Sequence, residues 1–405
     1  MGGGDALDPQ RPHAPSVPRV CVIVCDSWGV GHAPDAAAYG DEGSDTLGNV
    51  SRAVGGLHLR NLERLGMGHL TRMQGVTPRA EGATAWGRAT EVSAGKDTTT
   101  GHWEMMGVAL DEAFPLFPLG FPPEIIEPFE AKIGRRILGN VPASGTEILA
   151  ELGDEHLRTG RPIVYTSGDS VFQIACHKSK VSLQQLYEWC RIARRLLVGP
   201  YRVGRVIARP FEGPSGAFVR SPERRDFSVP PPGPTVLDVV QDAGVGVYGV
   251  GKIQDIFCGQ GITEARYSDD NEHGVDLTLE YLKRPGPSFV FTNLVDFDSK
   301  YGHRDDAAGY GRAIEAFDAR LPQVLAALDG GVLLITGDHG CDPTTPGTDH
   351  TRERTPLLAA GLASGPHEIG TRACFGDLGH TVADLLGVEV EGLTGSSFAD
   401  RLGFR

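Results

Sequence analysis

Six short apolar runs punctuate the chain: Arg19–Cys25 (RVCVIVC) and residues 162–165, 203–208, 245–250, 288–295 and 331–336. Each is short and near-continuously apolar, which predicts strands buried on both faces. Between them the apolar spacing turns helical, as in residues 235–242, which Gly244 is placed to stop, and residues 310–328. Strands alternating with helices predict an α/β fold with a mostly parallel sheet flanked by helices.

In such sheets ligands gather at the carboxyl ends of the strands. The first run ends in Asp26, the fifth leads into Asp296 and Asp298, and the sixth into Asp338 and His339. One such Asp would read as a turn former or helix cap. Three, with histidines clustered around them, point to a site. His303 follows Asp298 by five residues, and His350 follows His339 by eleven. Asp26, Asp298, Asp338, His303, His339 and His350 supply three carboxylates and three imidazoles, enough for two ions if a further ligand completes the shell. Mixed Asp and His ligation without thiolate suits Mn²⁺ or Zn²⁺. Paired ions of this kind serve phosphoryl transfer.

The nucleophile is sought in AGKDTTTGHWE, residues 94–104, where Gly95 and Gly101 flank three consecutive threonines. A threonine hydroxyl needs metal coordination to attack at neutral pH. His102, Trp103 and Glu104 read equally well as structural.

Length changes the domain picture. The 405 residues exceed the roughly 250–300 at which one core stops growing. Pro-rich stretches at 114–128 and 229–234 bracket an interval, which places an inserted smaller α/β domain at 111–229 within a core of 19–110 and 230–405. Residues 1–18 read as a flexible tail without a signal-peptide core. Seven cysteines without a C-x-x-C pair indicate neither disulfides nor a cysteine zinc site and suit a cytoplasmic protein. No stretch is long enough to span a membrane. The net charge of −14 argues against nucleic acid or an anionic membrane as partner. Yet residues 191–226 hold nine Arg against three acids, and Arg205, Arg209, Arg220 and Arg225, in strand and loop context, are phosphate candidates.

These segments carry a family likeness. CDSWGVGHAPDAAAYGDEGSDTLGNV, GKDTTTGHWE, YTSGDSV, GKIQDIFCGQGIT, NLVDFDSKYGHRDD and ITGDHGCDPTTPGTDHTRERTPLL together resemble the phosphopentomutases, a branch of the alkaline phosphatase superfamily. The likeness runs from about Val20 to the C-terminus. It implies an alkaline-phosphatase-like core with an inserted cap domain, two Mn²⁺ per chain, and a small-molecule pentose phosphate as substrate. The implied reaction interconverts the 1-phosphate and 5-phosphate of ribose or deoxyribose, in nucleoside and pentose phosphate metabolism. Thr98 would carry the phosphoryl group, where related phosphoglycerate mutases have Ser. Asp298, His303 and His350 would hold one manganese, and Asp26, Asp338 and His339 with Thr98 the other. Ser167, Asp169, Val171 and Lys252 would face the substrate. Two residues depart from the family pattern: Trp28, where a smaller or different apolar residue is expected, and Asp305, where a basic one is common; neither removes a ligand, and both bear on substrate preference. Rival readings are a phosphatase of the same superfamily, in which water discharges Thr98, and a non-catalytic metal-binding remnant. The oligomeric state stays open.

Overall fold

The computed structural model describes residues 17–167 and 170–404. The chain forms two compact units: Met1–Glu112 with Pro231–Arg405, and Ala113–Pro230. The first segment carries β1 (Arg19–Cys25), α1 (Thr46–Ala53), α2 (Arg60–Arg64), β2 (Thr84–Ala89) and α3 (Thr98–Met105). The intervening unit runs α4 (Pro123–Ile133), β3 (Leu138–Pro142), α5 (Gly145–Thr159), β4 (Ile163–Thr166), β5 (Val171–His177), α6 (Leu183–Leu196), β6 (Arg205–Glu212), β7 (Val219–Arg220) and β8 (Arg225–Ser228). The chain then returns through α7 (Val236–Asp242), β9 (Gly246–Val250), α8 (Ile253–Ile256), β10 (Glu264–Arg266), α9 (Asn271–Leu282), β11 (Ser288–Leu294), α10 (Ala307–Ala327), β12 (Val332–Thr336), β13 (Thr355–Ala360), β14 (His367–Arg372) and α11 (Gly376–Leu385).

The larger unit is built on an eight-stranded sheet in the order β10-β9-β11-β1-β12-β13-β2-β14. It is mostly parallel, as the apolar runs predict; β13 alone runs against both its neighbours. Cys21, Ile23 and Cys25 of β1 pack with Tyr310, Ile314 and Phe317 of α10, while Val20, Val22 and Val24 on the other face are equally buried. Full burial of such a side chain contributes about 1.5–3 kcal/mol, so the strand centre is fixed firmly and its end is held in place. β1 pairs in parallel with β11, Cys25 opposite Leu294, and with β12, Val24 opposite Thr336. Continuing the second register by two residues sets Asp26 beside Asp338.

The smaller unit has a mixed sheet, β3-β4-β5-β6-β7 with β8 paired to β6. One face, with Phe172, Ile174, Val206 and Ala208, packs on α4 and α6. On the other, α5 covers Ile163, Tyr165, Ala175 and Phe211. Among the described residues no helix is long and apolar enough to cross a membrane.

Candidate metal centre

Three strand ends of the larger unit converge on six ligand-type residues. Asp26 follows β1, Asp338 and His339 follow β12, and Asp298 lies in a π-helical turn, Phe297–Tyr301, after β11. His339 Nε2 is 3.5 Å from Asp26 Oδ1 and 3.4 Å from Asp338 Oδ2. His303 Nε2 and His350 Nε2 lie 3.4 and 3.3 Å from the Asp298 carboxylate and 3.1 Å from each other. Asp298 with His339 and His350, and Asp26 with Asp338 and His339, have the spacing to hold an ion.

The donor set fits a cation. His303 Nδ1 donates to the Thr348 carbonyl and His339 Nδ1 to the Gly340 carbonyl, which leaves each Nε2 lone pair facing the carboxylates. Asp26 Oδ1 and Asp338 Oδ2 are buried with no hydrogen bond among the described residues. Acceptor atoms that converge without a donor repel one another unless positive charge sits between them. Burial, and then Asp338, push the Asp26 carboxyl well up, against Lys252 and Asn293. For Asp338 burial acts upward too, but His339 and His102 outweigh it and hold the group at about 2. Burial lowers His339 to about 4, so its ring is neutral at pH 7.

Around the carboxylates the backbone is fixed in an uncommon shape. Ser27 has φ of 72°, a left-handed conformation that costs a non-glycine residue roughly 1 kcal/mol. Three hydrogen bonds maintain it: Ser27 N donates to Asp338 Oδ1 at 3.0 Å, Ser27 Oγ meets the Tyr310 hydroxyl at 2.9 Å, and that hydroxyl donates to the Ser27 carbonyl at 3.0 Å. Trp28 next to it is fully buried, edge-on to Phe297 and Phe317. A large indole directly after β1 is thus accommodated in the core. Asp305 takes a left-handed conformation, φ 53°, after the turn that carries His303.

Thr98 opens α3, and its Oγ1 lies 3.1 Å from His339 Nε2. Asp97 caps the helix, accepting from Thr99 N and Thr100 N, which leaves Thr98 at the positive end of the helix dipole. The loop before it is clamped from two sides. Buried Glu104 accepts from Val92 N, Ser93 N and Phe375 N. Buried Arg352, two residues after His350, pairs with Glu91 at 2.7 Å and donates to the Gly95 carbonyl at 2.8 Å. Lys252, at the start of α8, reaches Asp26 Oδ2 at 3.4 Å.

The remaining substrate candidates lie in the smaller unit. Val171 and Gln173 of β5 pair with Arg205 and Ile207 of β6, so Val171, Gln173, Arg205 and Arg209 share one sheet face. Arg209 Nε donates to Gln173 Oε1 at 3.0 Å. Burial, with Arg224 and Arg220 nearby, lowers the Arg209 guanidinium to about 10. Arg220 packs over Gly145, where a Cβ would come within 2.2 Å of its Nη2. Asp226 neutralises Arg224 at 2.7 Å and lies 3.6 Å from Arg205. Guanidiniums in excess of carboxylates suit an anion. Arg225 is not brought into this group; its guanidinium lies over the Tyr187 and Phe227 rings. Ser167 follows β4, and Asp169 lies outside the described residues. Arg224, Gln173 and Asn293, which donates to Asp26 at 3.2 Å, escape a reading of the sequence. For the latter two the signal is a polar side chain in an otherwise apolar strand. In a separate recess of about 560 Å³, lined by Arg135, Arg136, Thr159 and Arg161, Arg136 pairs with Glu130, Arg161 with Glu155, and Arg135 donates to the Gly160 carbonyl.

Residues 18–390 match the model of the metalloenzyme superfamily. The chain is 57% identical over 382 residues to a phosphopentomutase of Anaeromyxobacter dehalogenans strain 2CP-C, covering 94% of this chain and 97% of that protein. It is 54% identical over 374 residues to a phosphopentomutase of Kosmotoga olearia, covering 92% and 96%. Among solved structures it is similar to a phosphoglycerate mutase of Leishmania mexicana, with 13% identity over 95% of this chain and 98% of that one and a TM-score of 0.48. By its sequence relatives, this chain belongs to the phosphopentomutase family of the metalloenzyme superfamily.

Proposed function

We propose that this isomerase interconverts ribose 1-phosphate, and deoxyribose 1-phosphate, with the 5-phosphate through phosphorylated Thr98 and a pentose bisphosphate. The observation that carries the reading is the Thr98 hydroxyl, 3.1 Å from His339 Nε2 at the N-terminus of α3, beside two sets of metal-type ligands. Asp26, Asp338 and His339 with Thr98 would hold one Mn²⁺, and Asp298, His303 and His350 the other. Bound there, the two ions would offset charge on the transferring phosphoryl oxygens and make the Thr98 oxygen a competent nucleophile and leaving group.

Thr98 Oγ1 gives up its bond to phosphorus as the free hydroxyl oxygen of a pentose monophosphate forms one. The sugar hydroxyl loses one proton and Thr98 regains one. After the bisphosphate turns, its other phosphate returns to Thr98 by the reverse exchange. The charge that collects at Oγ1 lies at the positive end of the α3 dipole, while Asp97 takes the Thr99 and Thr100 amides. In the intervening unit, Arg205, Arg209 and Arg220 are the proposed holders of the phosphate that is not reacting, and Ser167 and Val171, with Asp169 by resemblance alone, the proposed contacts to the sugar; Lys252 has that role in the larger unit. The test is phosphorus NMR of the manganese-loaded protein with ribose 1-phosphate. Ribose 5-phosphate is the expected product; free phosphate alone would assign hydrolysis instead.

A further inference from the structure

His102 is completely buried on α3, four residues after Thr98. Its Nδ1 lies 2.8 Å from the Thr98 carbonyl oxygen and 3.3 Å from Asp338 Oδ2, while Nε2 has no hydrogen bond among the described residues. The Phe291 ring also lies near it, with centroids 5.7 Å apart. A side chain retained for packing alone would be apolar here, because burying a bare ring nitrogen carries a desolvation cost that nothing on the Nε2 side repays. The ring is therefore explained by what Nδ1 does.

Nδ1 faces two groups that must keep their relative positions. One is the backbone of Thr98; the other is the carboxylate of Asp338. The residue before His102 acts on the same contact. Gly101 sits so close to the Asp338 carbonyl that a Cβ would fall 2.2 Å from its oxygen. Thus α3 is seated directly on residue 338, with backbone against backbone at Gly101 and, at His102, a ring that is bonded to the Thr98 carbonyl and lies 3.3 Å from the Asp338 carboxylate. The T-T-T-G-H order has a physical reading: hydroxyl first, then the residue that permits the approach, then the residue that fixes it.

We infer that His102 is a positioning residue, which holds the Thr98 hydroxyl in register with the Asp338 carboxylate. The inference rests on the reading of Thr98 as nucleophile and Asp338 as ligand. A displacement of about 1 Å at a reacting atom costs on the order of 100-fold in rate, whereas binding of a substrate held elsewhere changes little.

The test compares His102→Asn with His102→Gln in the manganese-loaded full-length protein. The Asn amide nitrogen falls near the Nδ1 position, and the Gln amide nitrogen near that of Nε2. Expected is a kcat within about 5-fold of wild type for His102→Asn and a loss of about 100-fold for His102→Gln. KM for ribose 1-phosphate, metal content by mass spectrometry and Tm should stay close to wild type in both. Equal kcat in the two variants would overturn the inference, as would losses that follow Tm or metal content. Should either variant fail to fold, His102→Ala with added imidazole gives the second reading: rescue of kcat supports positioning through Nδ1, and no rescue in a folded variant counts against it. Wild-type turnover is the control for the underlying reading. If wild type releases only free phosphate, the mutase reading fails, and the same comparison is made on phosphate release from Thr98.

Discussion

Asp26 and Asp338 stand side by side because β1 and β12 run parallel with Val24 opposite Thr336, and each keeps a buried carboxylate oxygen without a hydrogen bond among the described residues. Such a pair is destabilising unless a cation joins it. Removing divalent metal with a chelator should lower Tm, and Mn²⁺ should restore it. At a free metal concentration 100 times the dissociation constant the gain is about 3 kcal/mol per ion. Calorimetry of stripped and reloaded protein measures this. A Tm indifferent to metal would mean that these side chains are not ligands.

Thr98 separates chemistry from metal binding. Thr98→Ala should abolish phosphoryl transfer while leaving the carboxylates and imidazoles to bind metal, so metal content should stay near wild type. His350→Ala removes an imidazole 3.3 Å from Asp298 and should lower metal occupancy. Mass spectrometry of metal content beside a phosphorus NMR assay reads both. Turnover by Thr98→Ala would show that another group is phosphorylated.

Arg209 and Arg225 share a chain segment but not an environment. Arg209 is half-enclosed, bonded to Gln173, and crowded by Arg220 and Arg224, whereas Arg225 lies on the Tyr187 and Phe227 rings. A lost charge-assisted hydrogen bond costs about 1.5–3 kcal/mol, so Arg209→Ala should raise KM for a pentose phosphate roughly 10- to 100-fold. Arg225→Ala should leave it within about 2-fold, as expected of a cation stacked at an exposed site. Steady-state kinetics of the pair decides; equal effects would place the phosphate elsewhere.

That contrast shows where the sequence was legible. Strand β1 is read to the residue, because six consecutive apolar positions after Arg19, buried on both faces, leave no choice of face. The carboxylates beyond β1, β11 and β12 follow from strand ends alone. In the smaller unit the polar and apolar positions are mixed, and Arg224, just before β8, and Arg225, its first residue, meet different partners. Sequence gives no means of choosing between them until Asp226 and Tyr187 are seen to take one each. Strand β13 was missed for a related reason: TPLLAA is apolar enough for a strand, but its antiparallel place between β12 and β2 depends on the return of the chain after His350. His102 was readable only as structural or functional, since its role depends on a residue more than 200 positions away.

His156 predicts a pH effect away from the metal centre. It is buried, its Nδ1 donates to the Arg161 carbonyl at 2.6 Å, and its Nε2 accepts from His177 N at 2.8 Å, tying α5 to the end of β5. The second bond requires the neutral ring, because a protonated Nε2 has no lone pair with which to accept from His177 N. Burial lowers its pKa, and His177, Lys180 and Arg135 add to this against the pull of the Arg161 carbonyl. The unfolded chain takes up a proton near pH 6.5 and the folded one only below that. The stabilisation is therefore complete above about pH 6.5 and is lost as pH falls below it. His156→Gln keeps an acceptor for His177 N without the titration. Between pH 7.5 and 5 the Tm of wild type should fall more steeply than that of His156→Gln, and comparison of the two curves cancels histidines elsewhere. Parallel curves would show that His156 takes up its proton alike in the folded and unfolded chain, contrary to its burial and its bond from His177 N.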